Sequence, residues 1–291
     1  MGRSDVVRIS VILPTHRVDE SFFQALESAK NQLLKPLEII VVFDGVEPPD
    51  GVSLSANNDV KVYAVHLEEN RGPSFARNKG VSISTGDYFA FLDSDDQWLP
   101  DKLLNQVTEL KKNKSRAPKI CVSSVAVKKH GEVAQKRRPN LMVGSATSSL
   151  LQQWPYLYLG STLFVSREVF YRVGPFNERM RIYEDFEWQI RFSKLNDMQV
   201  LCSFSHDVLI AHSLSIRRLE DLNYSIEALK QTMNGIGANS NRNLRSIAAL
   251  YNLDLAKALY FRRNFFQFCI KIFLSFWHVP RLKIHTDRYW L

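Results

Sequence analysis

The sequence predicts an α/β fold: a mostly parallel sheet flanked by helices, with a helical C-terminal extension. Three observations carry this. Between Ile9 and Leu92 lie four short β-branched or aromatic runs, each bounded by Pro, Gly, Asp or Asn. Helical patterns stand between the runs, and that alternation belongs to parallel sheets joined by crossovers. The final ~70 residues read as helix throughout.

The four runs are Ile9–Leu13, Glu38–Phe43, Val60–His66 and Tyr88–Leu92. Their near-continuous apolar character predicts a sheet covered on both faces. Glu20–Leu33 places Phe23, Leu26 and Ala29 at helical spacing, with Pro36 as the stop. Ser74–Ile83 is a second helix, entered through Gly72-Pro73. A third follows Leu99-Pro100-Asp101 and runs to about Asn113. Ile120–Val127 reads as a strand and Lys128–Arg138 as a solvated hairpin. Gly160–Ser166 reads as a strand feeding a helix at Arg167–Val173, which Gly174-Pro175 closes. Tyr183–Leu195 is helical, and helices resume from about Glu220. The expected division is residues 1–219 as one α/β domain and 220–291 as a helical region.

Composition narrows the class. The chain has 291 residues, 45% hydrophobic and 23% charged, which excludes a disordered chain or a disulfide-stapled miniprotein. Cys121, Cys202 and Cys269 are far apart and form no C-x-x-C pair, so neither a zinc knuckle nor a redox dithiol is indicated. Lone thiols fit a reducing compartment. The apolar run before Pro14 is too short for a signal-peptide core, and nowhere do about 18 apolar residues run uninterrupted. The expected location is cytoplasmic.

Four motifs carry chemistry. Asp93-Ser94-Asp95-Asp96 follows the fourth strand directly, and ligands of open α/β sheets bind beyond strand carboxyl ends. In extended backbone Asp93 and Asp95 share one face, where a hard cation such as Mg²⁺ or Mn²⁺ would relieve their repulsion; the plainer reading is an acidic turn capping the next helix. Asp44-Gly45 ends the second strand and is either a turn or a carboxylate able to accept a hydrogen bond from a nucleobase or ribose. In the stretch Asn70–Asn78, Arg71 and Arg77 sit at a helix start, where phosphate can be held; an ordinary loop-to-helix junction explains them as well. Tyr183–Trp188 packs three acids and three aromatics into six residues. The macrodipole favours acids there, and a carboxylate beside an aromatic wall also suits a general base.

Taken in order, PTHR, VVFDG, NRGPSFARN, FLDSDD and GSTLFVSREVFYRVGPFNERMRIYEDFEW resemble the family-2 glycosyltransferases of the GT-A (Rossmann-like) fold, over about Ile9 to Leu214. The resemblance implies a metal-dependent, inverting transfer of a sugar from a nucleotide-diphosphate donor to an acceptor hydroxyl of a glycan or lipid-linked molecule, in surface polysaccharide or glycolipid synthesis. It implies Pro14, Thr15, Asp44, Arg71, Arg77, Asp93 and Ser94 on the nucleotide-sugar side, and Asp93, Asp95 and His212 at a divalent cation. Asp185 or Glu184 is then the base, with Trp188 on the acceptor side. Two motifs depart from the family pattern: Phe43-Asp44-Gly45-Val46 replaces Asp-Asp-Gly-Ser, and Ile210 replaces the Arg two residues before His212.

Lys and Arg number 38 against 30 Asp and Glu, a net charge of +8. From Asn241 onward there are nine Lys/Arg and two Asp/Glu, so nearly all the excess sits there. Tyr260–Val279 reads as an amphipathic helix with a polar stripe of Arg263, Gln267, Lys271 and Ser275. Such a helix either packs on the rest of the protein or lies on an anionic membrane surface, here the inner membrane face. A basic nucleic-acid-binding protein and a non-catalytic membrane-surface scaffold are the alternatives. Acids clustered at a sheet edge would repel a phosphate backbone, so no nucleic-acid partner is expected.

Overall fold

The structure is a computed structural model that describes residues 7–49, 60–114, 119–129, 132–137, 159–195, 199–211, 219–235, 237 and 241–278. Among the described residues nine strands form one sheet: β1 (Ile9–Thr15), β2 (Glu38–Asp44), β3 (Lys61–Leu67), β4 (Tyr88–Phe91), β5 (Gln97–Trp98), β6 (Lys119–Lys129), β7 (Glu132–Arg137), β8 (Phe164–Ser166) and β9 (Gln199–Ala211). Their order is β3-β2-β1-β4-β8-β6-β9-β5, with β7 beside β6. The β3-β2-β1-β4 half is parallel. The other half is mixed, because β8 runs antiparallel to both β4 and β6 while β6 and β9 are parallel. The expected parallel sheet therefore holds for the half built from crossovers. Beyond β4 the neighbouring strands in this order are not consecutive in the chain and are not joined by single strand–helix–strand crossovers, so antiparallel pairs occur.

The intervening helices are α1 (Glu20–Lys30), α2 (Pro73–Ile83), α3 (Lys102–Lys112), α4 (Leu159–Thr162), α5 (Arg167–Val173) and α6 (Glu184–Ser193). Asp19 caps α1 by accepting the Phe22 N–H at 3.1 Å. Phe22, Ala25, Leu26 and Ala29 turn that helix's buried face inward. Strand residues alternate between two cores. Ile12, Ile40, Val42 and Phe91 join the α2, α5 and α6 side with Phe170, Trp188 and Phe192. Val11, Leu13, Val41 and Phe43 join the α1 and α3 side with Phe22, Leu103 and Val107. Both faces of the sheet are covered, as the apolar runs imply.

Two expectations change. The third run forms an edge strand, not a buried one: Lys61, Tyr63, Ala64 and His66 are exposed because β3 has a neighbour on one side only. Gly160–Ser166 is not one strand but the single turn α4 followed by β8. The Ser161 and Thr162 carbonyls accept hydrogen bonds from Trp98 Nε1 (2.9 Å) and Gln106 Nε2 (2.7 Å), so they need no strand partner. The strands β5 and β9 carry no clean alternating signal and go unpredicted. The hairpin expected after Val127 forms from β6 and β7.

The chain divides into two compact units, Met1–Arg179 with Glu184–Ala211, and Met180–Tyr183 with His212–Leu291. In the second lie α7 (Leu219–Gly235), α8 (Asn241–Phe261) and α9 (Phe265–His278). Leu222, Ile226, Leu229 and Met233 of α7 are buried, as are Ile247, Leu253 and Ala256 of α8. Tyr251 donates to Asn223 at 2.9 Å, and the Tyr183 hydroxyl donates to Asp254. Between α8 and α9, Asn264 caps the new helix by accepting the Gln267 N–H at 3.2 Å.

Candidate active site

The parallel register brings the carboxyl ends of β1, β2 and β4 to one sheet edge. Thr15 pairs with Phe43, next to Asp44, and Ile12 pairs with Phe91, two residues before Asp93. Pro14 and Thr15 are buried at the end of β1. The Thr15 hydroxyl donates to the Arg17 carbonyl at 2.5 Å, which turns the chain out of the strand. The Asp44 carboxylate is 4% exposed and accepts the backbone N–H of Arg71 (2.7 Å) and of Gly72 (2.8 Å). Its immediate work is to pin the loop that starts α2. Gly45 follows with φ +71, and a Cβ there would overlap the Asn70 backbone, so this turn requires glycine. Arg71 is exposed, and its guanidinium lies 3.6 Å over the Phe75 ring.

The acidic motif is a tight turn, not extended backbone: the Asp96 N–H donates to the Asp93 carbonyl at 3.1 Å. Side-chain exposure nevertheless alternates. Asp93 and Asp95 are part-exposed, while Ser94 and Asp96 are buried. Ser161 holds the turn from beneath, donating to Asp96 Oδ2 at 2.5 Å and accepting the Asp93 N–H at 3.0 Å. Gly160 allows the close approach, since a Cβ there would overlap Asp93 Oδ2. Burial and the neighbouring Asp93 charge push the Asp95 carboxyl above the usual range, against a partial pull from Arg17 at 3.6 Å.

Arg77 joins the acidic turn to the start of α6. Its guanidinium, fully buried, donates to Asp93 Oδ1 at 2.6 Å and to Glu184 Oε1 at 2.7 Å. Burial works against its charge, but the two carboxylates outweigh that and hold it cationic. Glu184 is thus paired at the first position of α6. Asp185, next to it, is part-exposed and accepts the Phe186 N–H at 2.7 Å. Tyr183, just before them, has φ +61, a backbone state rarely adopted by a bulky residue.

Trp188 corrects the expected acceptor-side aromatic. It is 0% exposed, stacks with Phe170 and Phe192, and donates its indole N–H to the Gly174 carbonyl at 2.8 Å. It is a core residue, because one turn past Glu184 the same helix face has already passed inside. His212 lies outside the described residues. Asp96 and Arg17 stand inside FLDSDD and PTHR, where the sequence assigns them no separate binding role, and neither Ser161 nor Gly160 carries a local signal. Ser161 lies 68 residues from Asp93, so no local pattern links them; Arg17 stands within PTHR and is the nearest to a legible signal.

Among the described residues no three His, Cys, Asp or Glu side chains gather as a metal site. The donor set fits a divalent cation all the same: two hard carboxylates on the open side of one turn, one of them discouraged from ionising by its neighbour. Such a pair suits Mg²⁺ or Mn²⁺ when a diphosphate supplies further oxygens.

Residues 10–174 match the profile described as glycosyl transferase family 2. The amylovoran biosynthesis glycosyltransferase AmsB of Erwinia amylovora is 28% identical over 198 residues, covering 65% of each chain. The UDP-Glc:α-D-GlcNAc-diphosphoundecaprenol β-1,3-glucosyltransferase WfaP of Escherichia coli is 30% identical over 99 residues, 34% of this chain and 39% of that protein. The chain spans less than two thirds of the length of these curated relatives. S. aureus TarS 1–349 in complex with UDP shares the fold, with a TM-score of 0.63 at 14% identity over 91% of this chain and 89% of that one.

Proposed function

The chain belongs to glycosyl transferase family 2, and on that premise we propose that it transfers a sugar, with inversion, from a nucleotide-diphosphate donor to an acceptor hydroxyl. The observation that carries this is the Asp93–Arg77–Glu184 bridge, which sets an acidic turn and the start of α6 beside one sheet edge. Asp185 takes the acceptor's proton as that oxygen attacks the anomeric carbon. The bond from that carbon to the diphosphate breaks in the same step, so one base on the attacking side suffices. Glu184 is the poorer base because Arg77 occupies it. Asp93 and Asp95, with His212 from its place in the sequence, are the residues to hold a divalent cation. When bound, that cation neutralises charge on the departing diphosphate. Arg71, Pro14, Thr15, Asp44 and Ser94 shape the nucleotide side.

UDP sugars are the donors to try first, since WfaP is named for UDP-Glc and TarS was crystallised with UDP. WfaP's named acceptor is a diphosphoundecaprenol-linked sugar, which supports a lipid-linked or glycan acceptor in polysaccharide synthesis. The basic second unit suits a peripheral position on the inner face of a membrane. The test is calorimetry with UDP and Mn²⁺ on the wild type and on Asp95→Asn. Binding that requires Mn²⁺ and is lost in the variant is expected. Unchanged metal-dependent binding removes Asp95 from the cation site.

A further inference from the structure

The helix α9 has one side packed and the opposite side bare. Ser275 is 0% exposed and donates to the Ala249 carbonyl of α8 at 2.9 Å, which fixes the packed direction. At about 100° per residue, Phe266, Phe273 and Trp277 lie within about 20° of the opposite direction, and Ile270 within about 40°. All four are exposed: 75% for Phe266, 37% for Ile270, 63% for Phe273 and 72% for Trp277. The polar stripe read from the sequence is thus partly turned inward at Ser275, and bulky apolar side chains face water. A contiguous apolar surface of this kind marks an interaction site.

Charge and length select its occupant. No Asp or Glu occurs between Asp254 and Asp287, a stretch that carries Lys257, Arg262, Arg263, Lys271, Arg281 and Lys283. Arg262 and Arg263 are exposed at the turn that starts α9. Basic groups beside a face of Phe and Trp match a bilayer, whose anionic headgroups meet the cations while rings sink to the acyl boundary. The 14 residues of α9 extend about 21 Å, short of the ~30 Å hydrocarbon core. No helix among the described residues is long and apolar enough to cross a membrane. We propose that Phe266, Ile270, Phe273 and Trp277 seat this unit on an anionic lipid surface, with α9 lying in the membrane plane. This rests on the peripheral placement proposed above and names the docking face; it does not depend on turnover.

Cys269 lies on the same bare side and is exposed, whereas Cys121 and Cys202 are buried. A polarity-sensitive dye on Cys269 of the full chain therefore reports this face. With vesicles of phosphatidylcholine and phosphatidylglycerol, the emission should shift to the blue and be quenched by brominated acyl chains. Phosphatidylcholine alone should give little change. The double substitution Phe273→Ser with Trp277→Ser should weaken binding about tenfold or more, and Arg262→Gln with Arg263→Gln should flatten its salt dependence. UDP binding should stay unchanged in both, which separates failure of docking from failure of the donor site. A dye that stays in water beside anionic vesicles at low salt overturns the proposal. So does a lipid-independent dimer, seen by light scattering, that Phe273→Ser with Trp277→Ser dissolves; the face would then belong to a second copy.

Discussion

Gly160 shows how a single missing methyl group can govern a charged side chain. The residue sits in α4, where alanine is conformationally welcome. Yet its Cβ would fall on Asp93 Oδ2, whose partner oxygen holds Arg77. Overpacking of this kind costs about 1–3 kcal/mol. Gly160→Ala should therefore lower UDP–Mn²⁺ affinity about tenfold or more and lower the melting temperature by a few degrees, as calorimetry and a melting curve would record. Equal affinity would show that the acidic turn yields to the methyl group at no cost to the site. Neither Gly160 nor Ser161 announces this role in sequence. Their partners are about 65 positions away, and only the packing of α4 under the turn brings them together.

At the scale of an element, α6 assigns different duties to adjacent acids. Residues one apart on a helix point about 100° apart, so Glu184 turns to Arg77 while Asp185 does not share that partner. Breaking a buried pair strands its partner charge. Glu184→Gln should then lower the melting temperature by several degrees, corresponding to about 2 kcal/mol or more. Asp185→Asn should bind UDP normally and lose about 10²–10⁴-fold in transfer rate. Full turnover by Asp185→Asn together with a dead Glu184→Gln would move the base to Glu184. The acids at this helix start were legible as a cluster. Which of them is neutralised was not, because Arg77 comes from another element 107 residues away.

For the molecule as a whole, an ionisable group buried in the core ties stability to pH. Lys102, at the start of α3, is 0% exposed, its ammonium has no hydrogen-bond partner, and it lies 3.6 Å over the Trp98 ring. Burial pulls its pKa down to about 7 from 10.5, although Asp207 and Cys121 favour the charge. Between those values the unfolded chain holds a proton that the folded chain lacks. Stability from this group therefore rises with pH across the window, by up to about 1.4 kcal/mol per unit. Lys102→Met should remove that slope, seen as a wild-type-minus-variant difference in unfolding free energy that changes between pH 7 and 10. Parallel curves would mean that the Trp98 ring and Asp207 keep the lysine charged.

Much of the catalytic unit could be read from the chain before it folded. Runs such as ISVIL and EIIVVF are apolar on both sides, and that pattern is satisfied only in a covered sheet. VVFDG and FLDSDD stand at strand ends because a charged turn cannot continue a buried strand. Proximity along the chain thus determined the strands, the helices between them and the acids at one sheet edge. Tertiary structure alone decided the rest. It made Trp188 a core residue, put Arg77 between Asp93 and Glu184, and set Ser161 beneath the acidic turn. It also turned Ser275 inward and left Phe266 and Trp277 bare. Each of these depends on which distant atoms fill the space around a side chain, and short-range periodicity carries no record of that.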